Sequence, residues 1–105
     1  MLNVAVSNNN GSIEIVPDGD IDLHTAPALR RAVLDALNHD VRQICVVLTS
    51  VSFMDSSGVA ILVEGFRAAR KDGKTFVLRA PSAPVMELLQ LARLDTVFTI
   101  LDKDA

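Results

Sequence analysis

The chain has 105 residues, half of them hydrophobic, and a net charge of −3. This is enough apolar material for a core, so we expect residues 1–105 to form a single domain. An acidic chain without Tyr or Trp lacks the basic stripe and stacking aromatics that bind nucleic acid, which argues against a nucleic-acid partner. No apolar run approaches the ~20 residues of a membrane span and no signal peptide is visible, so we predict a cytoplasmic protein with no membrane partner.

The first segments predict a β-hairpin. Residues 2–6 and 13–16 alternate in polarity as strands do, and residues 8–11 between them have the composition of a tight turn. Pro17 indicates that the second strand ends there or lies at a sheet edge, because proline cannot donate a ladder hydrogen bond. We expect residues 18–22 to form an acidic loop.

A helix is predicted after that loop. Thr25 is a plausible N-cap and Pro27 suits the first turn. The inner face of this helix has four apolar residues at helical spacing: Leu29, Val33, Ala36 and Leu37. Residues 38–40 would end it.

The remaining segments alternate between strands and helices. Residues 44–48 form the unbroken apolar run of a strand buried on both faces. The helix after it ends near Gly73, and its predicted inner stripe is Val59, Leu62, Val63 and Phe66. Then follow a strand over 75–78, a helix opened by Ser82 and Pro84 with Val85, Leu88, Leu89 and Ala92 on one face, and a strand over 97–101. The order β-β-α-β-α-β-α-β predicts an α/β fold with a mixed, largely parallel sheet of about five strands.

The segment from Phe53 to Val59 lies at the junction between the buried strand and the second helix. In open α/β sheets this edge tends to carry function. Asp55 or Ser56 can cap the helix, which accounts for at most one of the hydroxyls of Ser56 and Ser57. A phosphate on Ser56 would meet free N–H groups and the positive end of the helix dipole. It would add roughly −1.5 to −2 charge beside Asp55, which suits a switch that abolishes binding without unfolding the domain.

Catalysis by a serine is not favoured. A nucleophilic serine needs a base, and the two histidines are His24, after the acidic loop, and His39, predicted at the opposite sheet edge. The junction is not the Gly-x-Ser-x-Gly elbow of hydrolases. A solvated loop position is the favoured interpretation of His24, and we predict no catalytic residue.

Metal and cofactor sites are also not favoured. Asp18, Asp20 and Asp22 alternate and could share one face, but the downstream Glu of a calcium loop is missing. A solvated loop is therefore preferred to a cation site, and no phosphate-binding glycine loop is present. Cys45 lies in the buried run and is interpreted as a small core residue. We predict no metal and no cofactor.

Residues Val46 to Val59 resemble the signature of the STAS domains of bacterial anti-sigma factor antagonists. The segment Gly19 to Asp22, followed by Thr25 and Ala26, resembles the family's Gly-x-x-Asp segment, and Arg70 to Lys74 resembles its charged turn. The resemblance covers nearly the whole chain. It implies a single STAS domain with the family's strand order.

The resemblance implies that Ser56 is phosphorylated by a partner anti-sigma factor that is also a serine kinase, and that a PPM-class phosphatase removes the phosphate. The unphosphorylated protein, a monomer or weak dimer, would bind the anti-sigma factor and free a sigma factor. Ile61 falls off the predicted inner stripe and is a candidate contact, although partial burial is about as plausible. Val47 stands where many members carry Asp or Asn. The expected partner-binding residues are Asp22, Thr25, Asp55, Ser57, Gly58 and Ile61.

Two other functions remain open at this point. One is a STAS scaffold in a stressosome-like complex or an accessory subunit of a lipid transporter; the short N-terminus favours a stand-alone antagonist instead. The other is a serine hydrolase or nucleotidase, which the missing base disfavours.

Overall fold

The computed structural model describes residues 1–103. These residues form six strands and three helices. In chain order they are β1 (Asn3–Asn9), β2 (Ser12–Ile21), α1 (Ala26–Leu37), β3 (Gln43–Val47), β4 (Val51–Met54), α2 (Ser56–Lys71), β5 (Thr75–Arg79), α3 (Ala83–Leu91) and β6 (Thr99–Leu101).

The strands form one mixed sheet in the order β1-β2-β3-β5-β6, with β4 paired to β2 beyond the end of β3. Only the β1–β2 pair is antiparallel. The predicted α/β architecture is confirmed, but the sheet has six strands instead of about five. The missed strand is β4, whose two middle residues are both exposed. It therefore lacks the alternation that identifies a strand in a sequence.

A two-residue turn sets the hydrogen-bonding register of the hairpin. Asn10 and Gly11 have φ of 50° and 87°, as a type I′ turn requires. The flanking pair, Asn9 and Ser12, is then a hydrogen-bonded pair, and such pairs alternate with non-hydrogen-bonded pairs along the ladder.

Pro17 lies inside β2, which continues to Ile21. By the alternation, the pair Val4–Pro17 is non-hydrogen-bonded, so the nitrogen of Pro17 faces away from β1. On that side β2 pairs with β3 as far as Ile15 and with β4 only from Gly19. Proline falls in the gap between the two partners and costs no ladder bond there. The predictions of a strand end or sheet edge at Pro17, and of an acidic loop over 18–22, are therefore wrong, since only Asp22 lies beyond the strand.

Helices α1 and α2 cover one face of the sheet. The four predicted inner residues of α1 are buried, which confirms its stripe. The buried residues of α2 are Gly58, Ile61, Leu62, Gly65 and Ala69. Leu62 of the predicted stripe is thus confirmed, whereas Val59, Val63 and Phe66 are only partly buried against the core. The buried stripe is rotated from the predicted one because the helix makes its closest approach through glycine.

Gly65 shows why the rotation occurs. A Cβ on Gly65 would lie 2.8 Å from Cγ1 of Val33 and 2.9 Å from Cε2 of Phe76, so only glycine lets α2 pack this closely against α1 and β5. Counting apolar side chains cannot detect such a contact. The prediction that Ile61 falls off the inner stripe is wrong, since it is 7% exposed.

The predicted third helix and last strand are both present, as α3 and β6. Val85 and Leu89 of α3 are buried, whereas Ala92 follows the helix and is exposed. Strand β6 begins at Thr99, two residues later than predicted. Within residues 1–103, no helix is both long and apolar enough to cross a membrane.

Candidate functional site

The ends of β2 and β4 form the base of the site. Ile21 pairs with Met54 in the parallel register, and the N–H of Asp55 donates to the C=O of Ile21 at 3.1 Å. Asp22 directly follows Ile21, and Ser56 directly follows Asp55. The fold therefore brings the loop after β2 to the start of α2.

Asp55 caps α2. Its Oδ1 accepts the N–H of Ser57 at 2.9 Å, and its C=O accepts the N–H of Gly58 at 3.1 Å. Ser56 is exposed and Ser57 half-buried, and neither hydroxyl hydrogen-bonds to another residue of the described chain. Because Asp55 provides the cap, both hydroxyls are left without a capping role.

The same cap limits what a phosphate could bind. The amides of Ser57, Gly58 and Val59 already donate to Asp55. A phosphate on Ser56 would lie near the positive end of the α2 dipole, but it would have to compete with the Asp55 carboxylate for the N–H of Ser57. The expectation of several free N–H groups is therefore met only in part.

The loop after β2 is held by Asp22 and Thr25. Oδ1 of Asp22 accepts the N–H of His24 at 2.9 Å and the N–H of Thr25 at 3.1 Å. The hydroxyl of Thr25 donates to the C=O of Asp20 at 2.8 Å and accepts the N–H of Asp22 at 2.9 Å. The backbone hydrogen bond from Thr25, followed by that from His24, holds the pKa of Asp22 below its ordinary value of 3.8. Thr25 occupies the N-cap position of α1, but its hydroxyl does not cap the helix.

The acidic residues of this region do not converge on one point. Asp20 accepts the Ser52 hydroxyl at 2.6 Å, whereas Asp22 is engaged within its own loop. Among residues 1–103, no group of three or more His, Cys, Asp or Glu residues is placed to hold a metal ion. His24 is exposed, and the ring of His39 contacts the C=O of Asp35 at the end of α1.

Two residues predicted to contact a partner lie below the surface. Gly58 is buried. Its neighbours pack so closely that a Cβ on this residue would lie 2.6 Å from Cγ of Met54 and 2.8 Å from Cγ2 of Ile21. The glycine lets the first turn of α2 rest on the Ile21–Met54 pair. Ile61 is buried one turn further along the helix. Gly58 and Ile61 therefore shape the site from within and present little or no surface to a partner.

Sequence reasoning missed two exposed apolar side chains beside the site. Leu23, in the loop after β2, is 72% exposed, and Phe53, on β4, is 48% exposed. Leu23 could have been noticed, because it stands between the polar residues Asp22 and His24, just after the predicted loop over 18–22. Phe53 had no such signal, because β4 was not predicted as a strand and Phe53 lies on the face opposite the buried Met54.

The comparisons with known proteins agree with this fold. A family model described as "Mlab, STAS domain" matches residues 4–102, and the chain belongs to the STAS domain family. The anti-sigma-B factor antagonist of Bacillus subtilis (strain 168) is 29% identical over 102 residues, which cover 97% of this chain and 93% of that protein.

Solved structures of similar proteins share the fold. An anti-sigma factor antagonist from Mycobacterium paratuberculosis superposes with a TM-score of 0.88 at 25% identity, covering 96% of this chain and 86% of that one. The antagonist SpoIIAA in its unphosphorylated form gives 0.82 at 24% identity, covering 95% and 87%. Bacillus SpoIIAA in the phosphorylated form gives 0.77 at 22% identity, covering 95% and 90%. The predicted STAS fold is thus confirmed.

Proposed function

We propose that this protein is an anti-sigma factor antagonist whose unphosphorylated form binds an anti-sigma factor and so frees a sigma factor. Phosphorylation of Ser56 switches this binding off. The observation that carries the proposal is the position of Ser56, an exposed hydroxyl on the first residue of α2. The name of the Bacillus subtilis relative supports the same function.

The contact surface that we propose comprises the loop over residues 22–25 after β2, the start of α2 and the side chain of Phe53. Leu23 and Phe53 supply exposed apolar area, which is what protein interfaces bury at their centre. Four polar residues expected to contact the partner differ in their roles: Asp22 and Thr25 hold the loop in shape, Asp55 fixes the start of α2, and Ser57 adds a second hydroxyl.

Phosphorylation would act through charge at this surface. A phosphate on exposed Ser56 meets no packed neighbour, so the fold should tolerate it. It would place a strongly hydrated anion beside Asp55, in a surface that has to lose its water when a partner docks. The cost of removing that water would oppose binding.

Two other proteins complete the proposed cycle. The anti-sigma factor itself would be the serine kinase that transfers phosphate to Ser56, and a PPM-type phosphatase would remove it. The antagonist would be a substrate and binding partner with no catalysis of its own.

Phosphorylation by the cognate kinase tests the proposal. With ATP and the kinase-type anti-sigma factor, we expect wild type and Ser57→Ala to incorporate phosphate and Ser56→Ala to incorporate none, with the site mapped by mass spectrometry. Ser56→Asp should keep its circular dichroism spectrum but bind the anti-sigma factor at least about tenfold more weakly, a loss of about 1.4 kcal/mol. Undiminished labelling of Ser56→Ala would refute the assignment of Ser56.

A pull-down separates this function from the alternative. Immobilised wild-type protein should capture a kinase-like anti-sigma factor, and immobilised Ser56→Asp should not. Capture of a transporter ATPase by both forms would instead support the accessory-subunit function.

A further inference from the structure

Strand β1 is an edge strand without the usual protection. Among residues 1–103 it has a partner, β2, on one side only, and its seven residues, Asn3–Asn9, include no charged residue and no proline. Its register with β2 runs without a bulge from Asn3–Asp18 to Asn9–Ser12. Natural edge strands are commonly blunted by lysine, proline, a bulge or short length, because a long, flat edge invites pairing with another strand. The opposite edge, β6, has only three residues.

The register shows which backbone groups of β1 are free. Asn9–Ser12 is a hydrogen-bonded pair, and such pairs recur at every second residue of the ladder. The N–H and C=O groups of Asn9, Ser7, Ala5 and Asn3 therefore point toward β2. Those of Val4, Val6 and Asn8 therefore point outward. Within the described chain, these outward groups form no hydrogen bond. Three residues with both groups free, at every second position, are what an added antiparallel strand needs.

The middle of this edge is also apolar and uncovered. Val6 pairs with Ile15 and lies on the helix side of the sheet, yet it is 54% exposed, whereas Ile15 is completely buried. Helix α1 therefore covers β2 but leaves the middle of β1 open. The exposed side chain of Val6, with Val4 and Asn8 on either side of it, gives the edge an apolar centre. Pairing with another strand would bury this side chain.

We propose that β1 pairs antiparallel with β1 of a second copy of this chain, about a two-fold axis at Val6. Val6 is the middle residue of β1, so each Val6 would face its equivalent and each Val4 would face Asn8 of the other copy. All three pairs join outward-pointing groups, and each exchanges two bonds, for about six backbone hydrogen bonds in total. A second copy fits because the interface is self-complementary, as a two-fold dimer requires.

The geometry also sets the strength and consequence of this dimer. A stable interface buries a total accessible surface of about 1,200 Å² or more, and a single strand pair buries less. The association should therefore be reversible and concentration-dependent. β1 and β4 pair with opposite edges of β2, and Ser56 follows β4, so the Ser56 surface stays open. The dimer would then offer two copies of that surface to its partners. The inference does not depend on the proposed function.

Sedimentation velocity over a range of protein concentrations tests the dimer. Val6→Lys places like charges opposite each other on the axis, and we expect it to raise the dissociation constant at least about tenfold. Asn3→Lys is the matched control, because it adds the same charge opposite the neutral Asn9 of the other copy. It should dimerise nearly as wild type does, as should Ser56→Asp. A wild type that stays monomeric up to millimolar concentration, or a dimer that Val6→Lys leaves unchanged, would overturn the proposal.

Amide exchange of the wild type provides a second measurement that needs no substitution. Raising the concentration should slow exchange at the outward N–H groups of Val4, Val6 and Asn8. It should leave Ala5 and Ser7, which already donate to β2, unchanged. Concentration-dependent protection elsewhere but not at these three amides would assign the dimer to another surface and contradict the inference.

Discussion

The N–H of Asp55 donates to the C=O of Ile21 across 3.1 Å. This bond joins the ends of two parallel strands that are far apart in sequence. Because Asp22 and Ser56 directly follow the two bonded residues, it places the structured loop after β2 beside the phosphoacceptor candidate. Two of the three segments that resemble the antagonist family, the junction and the segment around Asp22, therefore form one surface.

The Asp55 cap should contribute measurably to stability. Asp55→Ala removes the acceptor for the N–H of Ser57, and we expect it to lower the free energy of unfolding by about 1 kcal/mol in urea denaturation. Asp55→Asn is the matched control, because an amide oxygen also caps well. If the two variants were equally destabilised, loss of the carboxylate charge would be the cause and the capping role would be wrong.

Gly58 should resist replacement by alanine. In an exposed helix interior, Gly→Ala stabilises by about 1 kcal/mol. Here the added Cβ would lie 2.6 Å from Met54 and 2.8 Å from Ile21, and we expect Gly58→Ala to destabilise by about 1–3 kcal/mol instead. Combining it with Met54→Ala should cost less than the sum of the two single changes, since the cavity accepts the new methyl. A gain in stability from Gly58→Ala alone would contradict the close packing.

Leu23 should matter for binding but not for folding. Its side chain is 72% exposed, so Leu23→Ser should leave the urea midpoint nearly unchanged. We expect it to weaken binding of the anti-sigma factor about tenfold, measured by calorimetry or surface plasmon resonance. Val97→Ser is the control, because Val97 is exposed and precedes β6 at the other side of the sheet. Equal effects of the two substitutions would place the contact surface elsewhere.

Cys45 should be unreactive while the domain is folded. The side chain is completely buried, and burial raises the pKa of the thiol above its ordinary value of 9.0. A thiol reagent at pH 8 should therefore label the native protein far more slowly than the protein in concentrated urea. Rapid labelling of the native protein would show that β3 opens readily.

The raised pKa of Cys45 also predicts a pH dependence with a defined sign. The folded state keeps the proton where the unfolded state has lost it, so the contribution of Cys45 to stability is complete below pH 9.0 and decreases as the pH rises toward the folded-state pKa. The difference in unfolding free energy between wild type and Cys45→Ala should be smaller at pH 10 than at pH 7. A constant difference would mean that the thiol titrates alike in both states.

Much of the local structure follows from short stretches of sequence. The Asn10–Gly11 turn, the inner stripe of α1 and the helix start at Asp55 each depend on a few adjacent residues whose chemistry admits one backbone conformation. The resemblance of the junction to the STAS family also lies within a single continuous segment. These features could be predicted without knowing what packs against them.

The errors arose where a residue's environment comes from a distant segment. Pro17 is compatible with an interior strand only because β3 ends and β4 begins around it. The exposure of Phe53 depends on which face of β4 the rest of the fold covers, and the burial of Ile61 depends on where glycines let α2 approach the sheet.

The sequence alone thus determined the class of fold and the exposed serine at a helix start, because capping and hydrophobic periodicity are local. Only the tertiary structure decided which residues surround Ser56. Strand pairing placed the Asp22 loop beside it, and close packing removed Gly58 and Ile61 from the surface. Leu23 in that loop and Phe53 on the uncovered face of β4 remained exposed as the apolar part of the proposed site.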